Sequence, residues 1–372
     1  MIRVALLGAG FIGQMHSLSL RSNSLARTGT PVPVELSLLL ERDDSRSLAE
    51  EVQRRYGWQH VALGESEREV LRPDIDLFIN AGPNDTHTAT TIAAAKAGKA
   101  LFCEKPLAAT AEDAFAIWQA AEQARVPHMC AYIHRFVPAL HLARDMIATG
   151  AIGEIRHYRS QLLLNMEEPA LTWRFSRGRA GGGATGDLGS HHIDVARFLV
   201  AEVAEVAAKT RTWSIDPAGR ITDVNDDSFS AVALLANGAL ATFEGSRLTP
   251  GHALTGRIEV DGTRGTLAWC MERLNELLVS EPGKGTRTVL ATRPGHPNAD
   301  FFLPIGIQGA VPVSWRDCFV YQIHHMLGAI VAKAPVGPLA ATFRDGYRVA
   351  EIVDTMLRSA ESRRFEKVSF RQ

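Results

Sequence analysis

The chain opens with Ile2 to Leu7, a short run apolar except at Arg3, and continues Gly8-Ala9-Gly10-Phe11-Ile12-Gly13. A run of that length suits one buried strand, and a Gly-x-Gly-x-x-Gly directly after it admits few folds. The first glycine allows a tight turn. The second lets a pyrophosphate approach the backbone, and the third lets helix and strand pack closely. The phosphates would rest on the N-terminus of the helix that follows, where N–H groups and the helix dipole favour negative charge. The pattern predicts a dinucleotide-binding domain, with Gly8, Gly10, Phe11, Ile12 and Gly13 at the cofactor.

A second strand, Val34 to Leu40, ends at Glu41-Arg42-Asp43-Asp44. An acid at the end of this strand hydrogen-bonds the adenosine ribose hydroxyls, which favours NAD. The spacing from the glycines exceeds the usual ~20 residues. The excess falls in Ser22 to Pro33 and reads as a longer helix plus loop. Arg42 could grip the 2′-phosphate of NADP, or be a solvated surface charge. Glu41 would repel that phosphate, so NAD is expected and NADP is the lesser alternative.

Strands and helices then alternate. Ser45 to Tyr56, Thr86 to Ala97 and Thr110 to Arg125 read as helices. Asp76 to Asn80, Ala100 to Cys103 and His128 to Tyr132 read as strands. Such alternation implies a doubly wound parallel sheet, whose ligands bind at the carboxyl ends of the strands. Two motifs sit at such ends: Asn80-Ala81-Gly82-Pro83-Asn84-Asp85-Thr86-His87 and Glu104-Lys105-Pro106. Ala81, Pro83, Asn84, His87 and Glu104 are expected beside the cofactor. Lys105 is either a hydroxyl partner facing the nicotinamide or a surface lysine in a turn.

The most conspicuous later stretch is Gly181-Gly182-Gly183-Ala184-Thr185-Gly186-Asp187-Leu188-Gly189-Ser190-His191-His192. It reads as a flexible loop feeding a helix. Asp187 and His191 are four apart and share one helical face. A carboxylate beside an imidazole is a plausible acid–base unit. A capped helix with an incidental histidine would look the same.

Taken in order, Gly8 to Gly13, Pro83-Asn84 with His87, Glu104-Lys105-Pro106, and the triple glycine leading to Asp187 and His191 resemble the glucose–fructose oxidoreductase / inositol dehydrogenase / rhizopine-catabolism (Gfo/Idh/MocA) family. The resemblance covers essentially the whole chain. Gly82 departs from it, since many members have Thr or Ser before the Pro-Asn. The resemblance implies a Rossmann domain and a second α/β domain with a large, mostly antiparallel open sheet carrying the substrate face. It implies that Lys105, Asp187 and His191 act on a sugar or cyclitol hydroxyl, and that the glycines let the backbone come close to sugar and nicotinamide. Within the family, Thr172-Trp173-Arg174-Phe175 and Glu272 to Leu277 look most like sugar dehydrogenases of the levoglucosan type. Two rival readings stay open. One is an NAD-dependent oxidoreductive glycoside hydrolase, possibly for an acidic or sulfonated sugar. The other is a non-catalytic dinucleotide-binding regulator.

A division into residues 1–127 and 128–372 is expected. Ala139 to Thr149 reads as a linking helix and Glu154 to Asn165 as a strand. Arg135, Asn165, Trp173 and Arg174 are candidate substrate contacts, His192 is either a substrate contact or a packing residue, and Arg177 and Arg179 lean towards a solvated loop. Val203 to Trp213, Ser228 to Leu235, Ala239 to Arg247 and Leu254 to Val260 alternate as half-buried strands, with turns at Asn237-Gly238 and Asp261-Gly262. Their outer face would need a cover, so a homo-oligomer, dimer or tetramer, is expected through this sheet. Pro294 to Pro312 is a long connection that could help close over substrate, and two helices, Asp317 to Lys333 and Phe343 to Ser362, end the chain.

The 40 Lys+Arg and 41 Asp+Glu balance, which removes electrostatic support for nucleic acid or membrane partners. No long apolar run or leader pattern is seen, and Cys103, Cys130, Cys270 and Cys318 are scattered in apolar contexts. Reduced thiols and a cytoplasmic location are expected. His324-His325 and His191-His192 are adjacent pairs, which point about 100° apart on a helix, so no metal site is expected.

Overall fold

The computed structural model describes residues 1–23, 32–64, 66–166, 172–216, 218–292 and 311–372. In chain order its elements are β1 (Ile2–Leu7), α1 (Phe11–Ser22), β2 (Val34–Glu41), α2 (Arg46–Tyr56), β3 (His60–Leu63), α3 (Ser66–Glu69), β4 (Leu77–Asn80), α4 (His87–Lys96), β5 (Ala100–Cys103), α5 (Ala111–Ala124), β6 (His128–Cys130), α6 (Pro138–Ala148) and β7 (Ile155–Leu163). They continue with α7 (Arg177–Ala180), α8 (Ser190–Leu199), β8 (Val203–Arg211), β9 (Ser228–Leu235), β10 (Leu240–Ser246), β11 (Thr255–Gly262), β12 (Thr266–Cys270), β13 (Glu276–Glu281), β14 (Gly285–Leu290), α9 (Trp315–Ala332), α10 (Phe343–Ser362) and β15 (Glu366–Lys367).

Contacts divide the chain into two units, but not at residue 127. The first takes Met1–Ala108, Glu112–Ile133 and Ser314–Tyr347; the second takes Ala109–Ala111, His134–Val313 and Arg348–Gln372. A cut after 127 would strip β6 from its sheet, where Leu101 to Cys103 of β5 pair with His128 to Cys130.

The first unit holds a parallel six-stranded sheet in the order β3-β2-β1-β4-β5-β6. That is the doubly wound order with its reversal between β1 and β4. Helices cover both faces of such a sheet, so its central strands lack alternation. Val4, Ala5 and Leu6 of β1 and Leu77, Phe78 and Ile79 of β4 are fully buried. β3 was not legible in the sequence, because His60 to Leu63 is an edge segment with no fully buried side chain.

The second unit is built on a nine-stranded mixed sheet, β14-β13-β12-β11-β7-β10-β9-β8-β15. β7 and β10 run parallel and the other pairs antiparallel. One face is covered and one is open, so β9 alternates strictly: Phe229, Ala231, Ala233 and Leu235 point in, and Ser230, Val232 and Leu234 point out. Strands β12, β13, β14 and β15 extend the sheet beyond the five expected here. The connection expected at Pro294 to Pro312 lies almost wholly outside the described residues, as do residues 24–31 and 167–171. The four cysteines form no disulfide with one another; Cys270 is half-buried and the others are buried. Among the described residues, no helix is long and apolar enough to cross a membrane.

Candidate active site

β1 delivers the chain to Gly8, whose φ of +103° is closed to ordinary side chains. A β-carbon there would lie 2.5 Å from the Ala81 carbonyl oxygen, and one at Gly13 would lie 1.8 Å from that of Gly8. Gly10 is different, because nothing lies within 4 Å of where its side chain would start. α1 has no side-chain cap and no acidic residue in its first turn, so its positive end carries no anion of its own. Glu41 ends β2 with Oε2 accepting the Ala9 N–H at 2.7 Å and Oε1 accepting the Arg42 N–H at 2.9 Å. Arg42 itself is exposed and pairs with Asp44 at 3.3 Å. An open glycine turn, a helix end without an acid and a carboxylate closing the second strand fit a dinucleotide.

The Lys105 turn follows β5 on the same sheet edge. Glu104 is 8% exposed: one carboxylate oxygen lies 2.7 Å from His16 Nε2, and the other accepts the Lys105 N–H at 3.1 Å. His16 is fully buried, edge-on to Phe102 at 5.0 Å and to Phe319 at 5.6 Å. His87 is also fully buried, with Nδ1 3.1 Å from the Pro106 oxygen and Nε2 3.1 Å from that of Gly82. Burial holds its pKa below the usual value, against the pull of those carbonyls. Glu104 and His87, expected beside the cofactor, are both buried and hydrogen-bonded within the turn. Lys105 is half-buried. Ala81 prolongs β4, its N–H donating to the Leu7 oxygen at 2.8 Å, and Pro83 leads into a single turn whose Asn84 is 8% exposed. The Gly82 departure has a cause: a β-carbon there would meet the Thr86 hydroxyl at 2.6 Å.

In the second unit, the glycine stretch enters a single π-helical turn, Thr185–Gly189, which runs on into α8. An ordinary α-turn was expected. A π-turn is wider, its bond running i to i+5, and such turns gather at functional sites. Asp187 lies within it and His191 is the second residue of α8. From Ala180 to Ala196 every residue is buried except these two.

Asp226, unremarked in the sequence, holds this loop. Its carboxylate accepts the Gly183 N–H, the Thr185 N–H and the Thr185 hydroxyl, each at 2.7 Å. A β-carbon at Gly183 would lie 1.9 Å from the Asp226 oxygen, and one at Gly181 would lie 2.1 Å from that of Ala109. These two glycines make room for the protein's own backbone, which corrects the expectation that they admit sugar and nicotinamide. A neighbouring pair, Arg247 and Asp227 at 2.9 Å, is almost fully buried under Phe175, whose ring lies 3.9 Å from the guanidinium. No local pattern marks Asp226, Asp227 or Arg247, since their partners are far along the chain.

His134 adds a further imidazole. Its ring lies 4.7 Å from that of His191, 5.8 Å from His192 and 5.9 Å from Trp269. His192 is 1% exposed, and neither of its ring nitrogens has a hydrogen-bond partner among the described residues. Burial, helped by His134, pushes its pKa well below the usual 6.5. Of the two roles open to it, substrate contact or packing, its burial favours packing. The expectation for Arg135 is corrected. Its guanidinium grips Asp194 through two bonds of 2.8 and 2.6 Å, and the pair is 5% and 0% exposed. A buried carboxylate requires such a partner, and the fork of arginine matches it.

Asn165 does carry an open polar atom. It lies just past β7, bridged to Leu248, and its Oδ1 is buried with no hydrogen-bond partner among the described residues. Trp173 and Arg174 are half-buried, the guanidinium 4.6 Å over the indole. Arg177 is exposed and pairs with Glu361 at 2.6 Å, and Arg179 is held in the same short helix, α7. Among the described residues no group of three His, Cys, Asp or Glu is placed to hold a metal ion.

Comparison with known proteins agrees with this arrangement. Residues 2–132 match the oxidoreductase family with an NAD-binding Rossmann fold, and residues 140–268 match the GFO/IDH/MocA C-terminal domain. The chain is 33% identical to levoglucosan dehydrogenase of Pseudarthrobacter phenanthrenivorans over 96% of both chains. It is 28% identical to inositol 2-dehydrogenase of Rhizobium meliloti over 98% of both. A solved levoglucosan dehydrogenase in complex with NADH and L-sorbose matches with a TM-score of 0.90 and 34% identity over 99% of both chains. The glycine turn, the Glu-Lys-Pro turn and the π-turn with its aspartate and histidine thus stand in a chain that belongs to the Gfo/Idh/MocA family of NAD-binding oxidoreductases.

Proposed function

We propose that this oxidoreductase oxidises a secondary hydroxyl of a sugar, anhydrosugar, glycoside or cyclitol. The observation that carries the reading is the exposure pattern of the π-turn: an otherwise buried stretch presents Asp187 and His191. Relatives named for levoglucosan and inositol, and a solved relative holding L-sorbose, support a polyhydroxylated substrate. His191 is the general base that takes the hydroxyl proton, and Asp187 orients its ring and favours the imidazolium that forms. Lys105 donates a hydrogen bond to the same oxygen and stabilises the charge that develops as the proton leaves. Bound NAD supplies the acceptor for the hydride that leaves the carbon, so the alcohol becomes a ketone. Asn165 and Trp173 with Arg174 are the proposed contacts for the other hydroxyls.

A screen of levoglucosan, inositols, hexoses and aryl glycosides, read by NADH absorbance with NAD and with NADP, tests the reading. A substrate-dependent rise with NAD is expected. Aglycone release under catalytic NAD with no NADH accumulation would replace it by the oxidoreductive glycosidase.

The open face of the nine-stranded sheet completes the proposal. Val232, Leu234 and Leu240 are 45%, 39% and 48% exposed there. A groove of about 830 Å³ runs along the face between Arg159, Val232, Glu244, Arg257 and Glu259. Apolar groups among charges of both signs suit a second copy of the same face, and we place the homo-oligomer contact here. Sedimentation of the chain as a monomer at micromolar concentration would remove it.

A further inference from the structure

The glycine turn carries one large apolar side chain into solvent. Phe11 opens α1 beside Gly10 and is 65% exposed. Its ring lies parallel to that of Trp315, with centroids 6.4 Å apart and planes 6° apart. Trp315 is the first residue of α9, which packs on α1. A capping box fixes that helix end: the side chains of Ser314 and Asp317 each accept the other's backbone N–H, the Ser314 N–H donating to Asp317 at 2.6 Å. Behind it, Trp315 is edge-on to Phe319 at 4.7 Å, and Phe319 is edge-on to His16 at 5.6 Å. A row of rings therefore runs from the rim of the glycine turn to the His16–Glu104 pair under Lys105.

Core packing does not need this arrangement. The inner rings already seal α1 against α9, whereas the Phe11 ring faces solvent at the place where a dinucleotide's phosphates come in. An exposed ring beside a ligand site is apolar area that becomes buried on binding. We propose that Phe11 and Trp315 form an aromatic wall of the cofactor site that borders the bound dinucleotide and slows its release, with Trp315 as a cofactor-contacting residue. The inference rests on dinucleotide binding and is independent of the substrate.

The test reads NADH binding to the full chain, by NADH fluorescence and by stopped-flow displacement, with no sugar present. Phe11→Ala and Trp315→Leu should each raise the NADH Kd ~10-fold, mostly through faster dissociation. Trp315→Phe keeps a ring and should stay within about threefold of the wild type. Phe11 contributes little to the core, so Phe11→Ala decides the matter even if Trp315→Leu does not fold. A Kd within twofold of the wild type in Phe11→Ala and in any folded Trp315→Leu would overturn the wall. Failure of the wild type to bind NADH would overturn the wall and the cofactor reading together. Normal NADH binding with no sugar oxidised would count against the proposed substrate alone, leaving the variants' Kd to decide the wall.

Discussion

His16 and Glu104 meet as a buried pair, Nε2 to Oε1 at 2.7 Å, and the second oxygen of Glu104 accepts the N–H of Lys105 at 3.1 Å. One carboxylate therefore ties the helix of the glycine turn to the backbone of the proposed hydroxyl-binding lysine. His16→Leu would leave that carboxylate buried without its imidazole. Removing one partner of a buried pair costs about 3 kcal/mol or more, so a fall in Tm of roughly 4 °C or more is expected by thermal unfolding. Turnover should fall as well. Adding Glu104→Leu should recover part of the stability but not the turnover, because the Lys105 turn remains unanchored. An unchanged Tm in the single variant would show that the pair holds nothing.

Lys105→Met and His191→Ala each remove a group proposed to act on the substrate hydroxyl. Turnover should fall ~10²-fold or more in either, the scale of general acid–base and charge-stabilising groups. NADH binding measured without substrate should be affected far less by His191→Ala. Near-normal turnover in either variant would end the proposed mechanism.

Local patterns carried much of the fold. The glycine turn, the acid ending β2 and the short apolar strands each predict their surroundings from adjacent residues, and five strands of the six-stranded sheet follow from them, all but the edge strand β3. The proposed acid–base pair was also visible, because Asp187 and His191 lie only four positions apart. The buried groups that hold the Lys105 turn and the π-turn were not. His16 and Glu104 are 88 positions apart, and Asp226 lies 41 positions from Thr185. A buried polar residue with a distant partner resembles a surface residue until the chain folds. The same blindness made Arg135 look like a substrate contact, since an arginine after a strand tip does not reveal that Asp194 awaits it 59 positions on.

Asp226 offers a test of that hidden support. Its carboxylate accepts three donors from Gly183 and Thr185. Asp226→Ala would leave those donors buried and unpaired, at about 1–3 kcal/mol each before relaxation. The variant should unfold at lower temperature and lose turnover, because the π-turn that presents Asp187 loses its anchor. Asp226→Asn can still accept but adds donors where donors already crowd, so it should fall between. A folded Asp226→Ala with wild-type kcat would show that the turn stands without it.

Glu41 should set cofactor choice. Its carboxylate is pinned between the N–H groups of Ala9 and Arg42, where a 2′-phosphate would meet a like charge. Glu41→Ser removes that charge and leaves Arg42 to attract the phosphate. The preference for NAD over NADP, as a ratio of kcat/KM, should drop by at least ~10-fold, equivalent to about 1.4 kcal/mol. An unaltered ratio would mean that discrimination lies elsewhere.

His192 should make stability depend on pH. Burial, then His134, holds its pKa well below 6.5, while the unfolded chain keeps the ordinary value. Above pH 6.5 the ring is neutral in both states and adds no slope. Below it, the unfolded chain binds a proton that the folded chain refuses, so stability falls as pH falls, by up to about 1.4 kcal/mol per pH unit, until the folded-state pKa is reached. Buried His87, its pKa also lowered by burial, acts in the same sense. His192→Leu removes one of these contributions together with the two ring nitrogens that lack a partner among the described residues. Thermal melts at pH 7.5 and 5.5 should therefore show a smaller loss of Tm in this variant than in the wild type. Equal losses would mean that the ring is protonated, or water-exposed, in the folded protein.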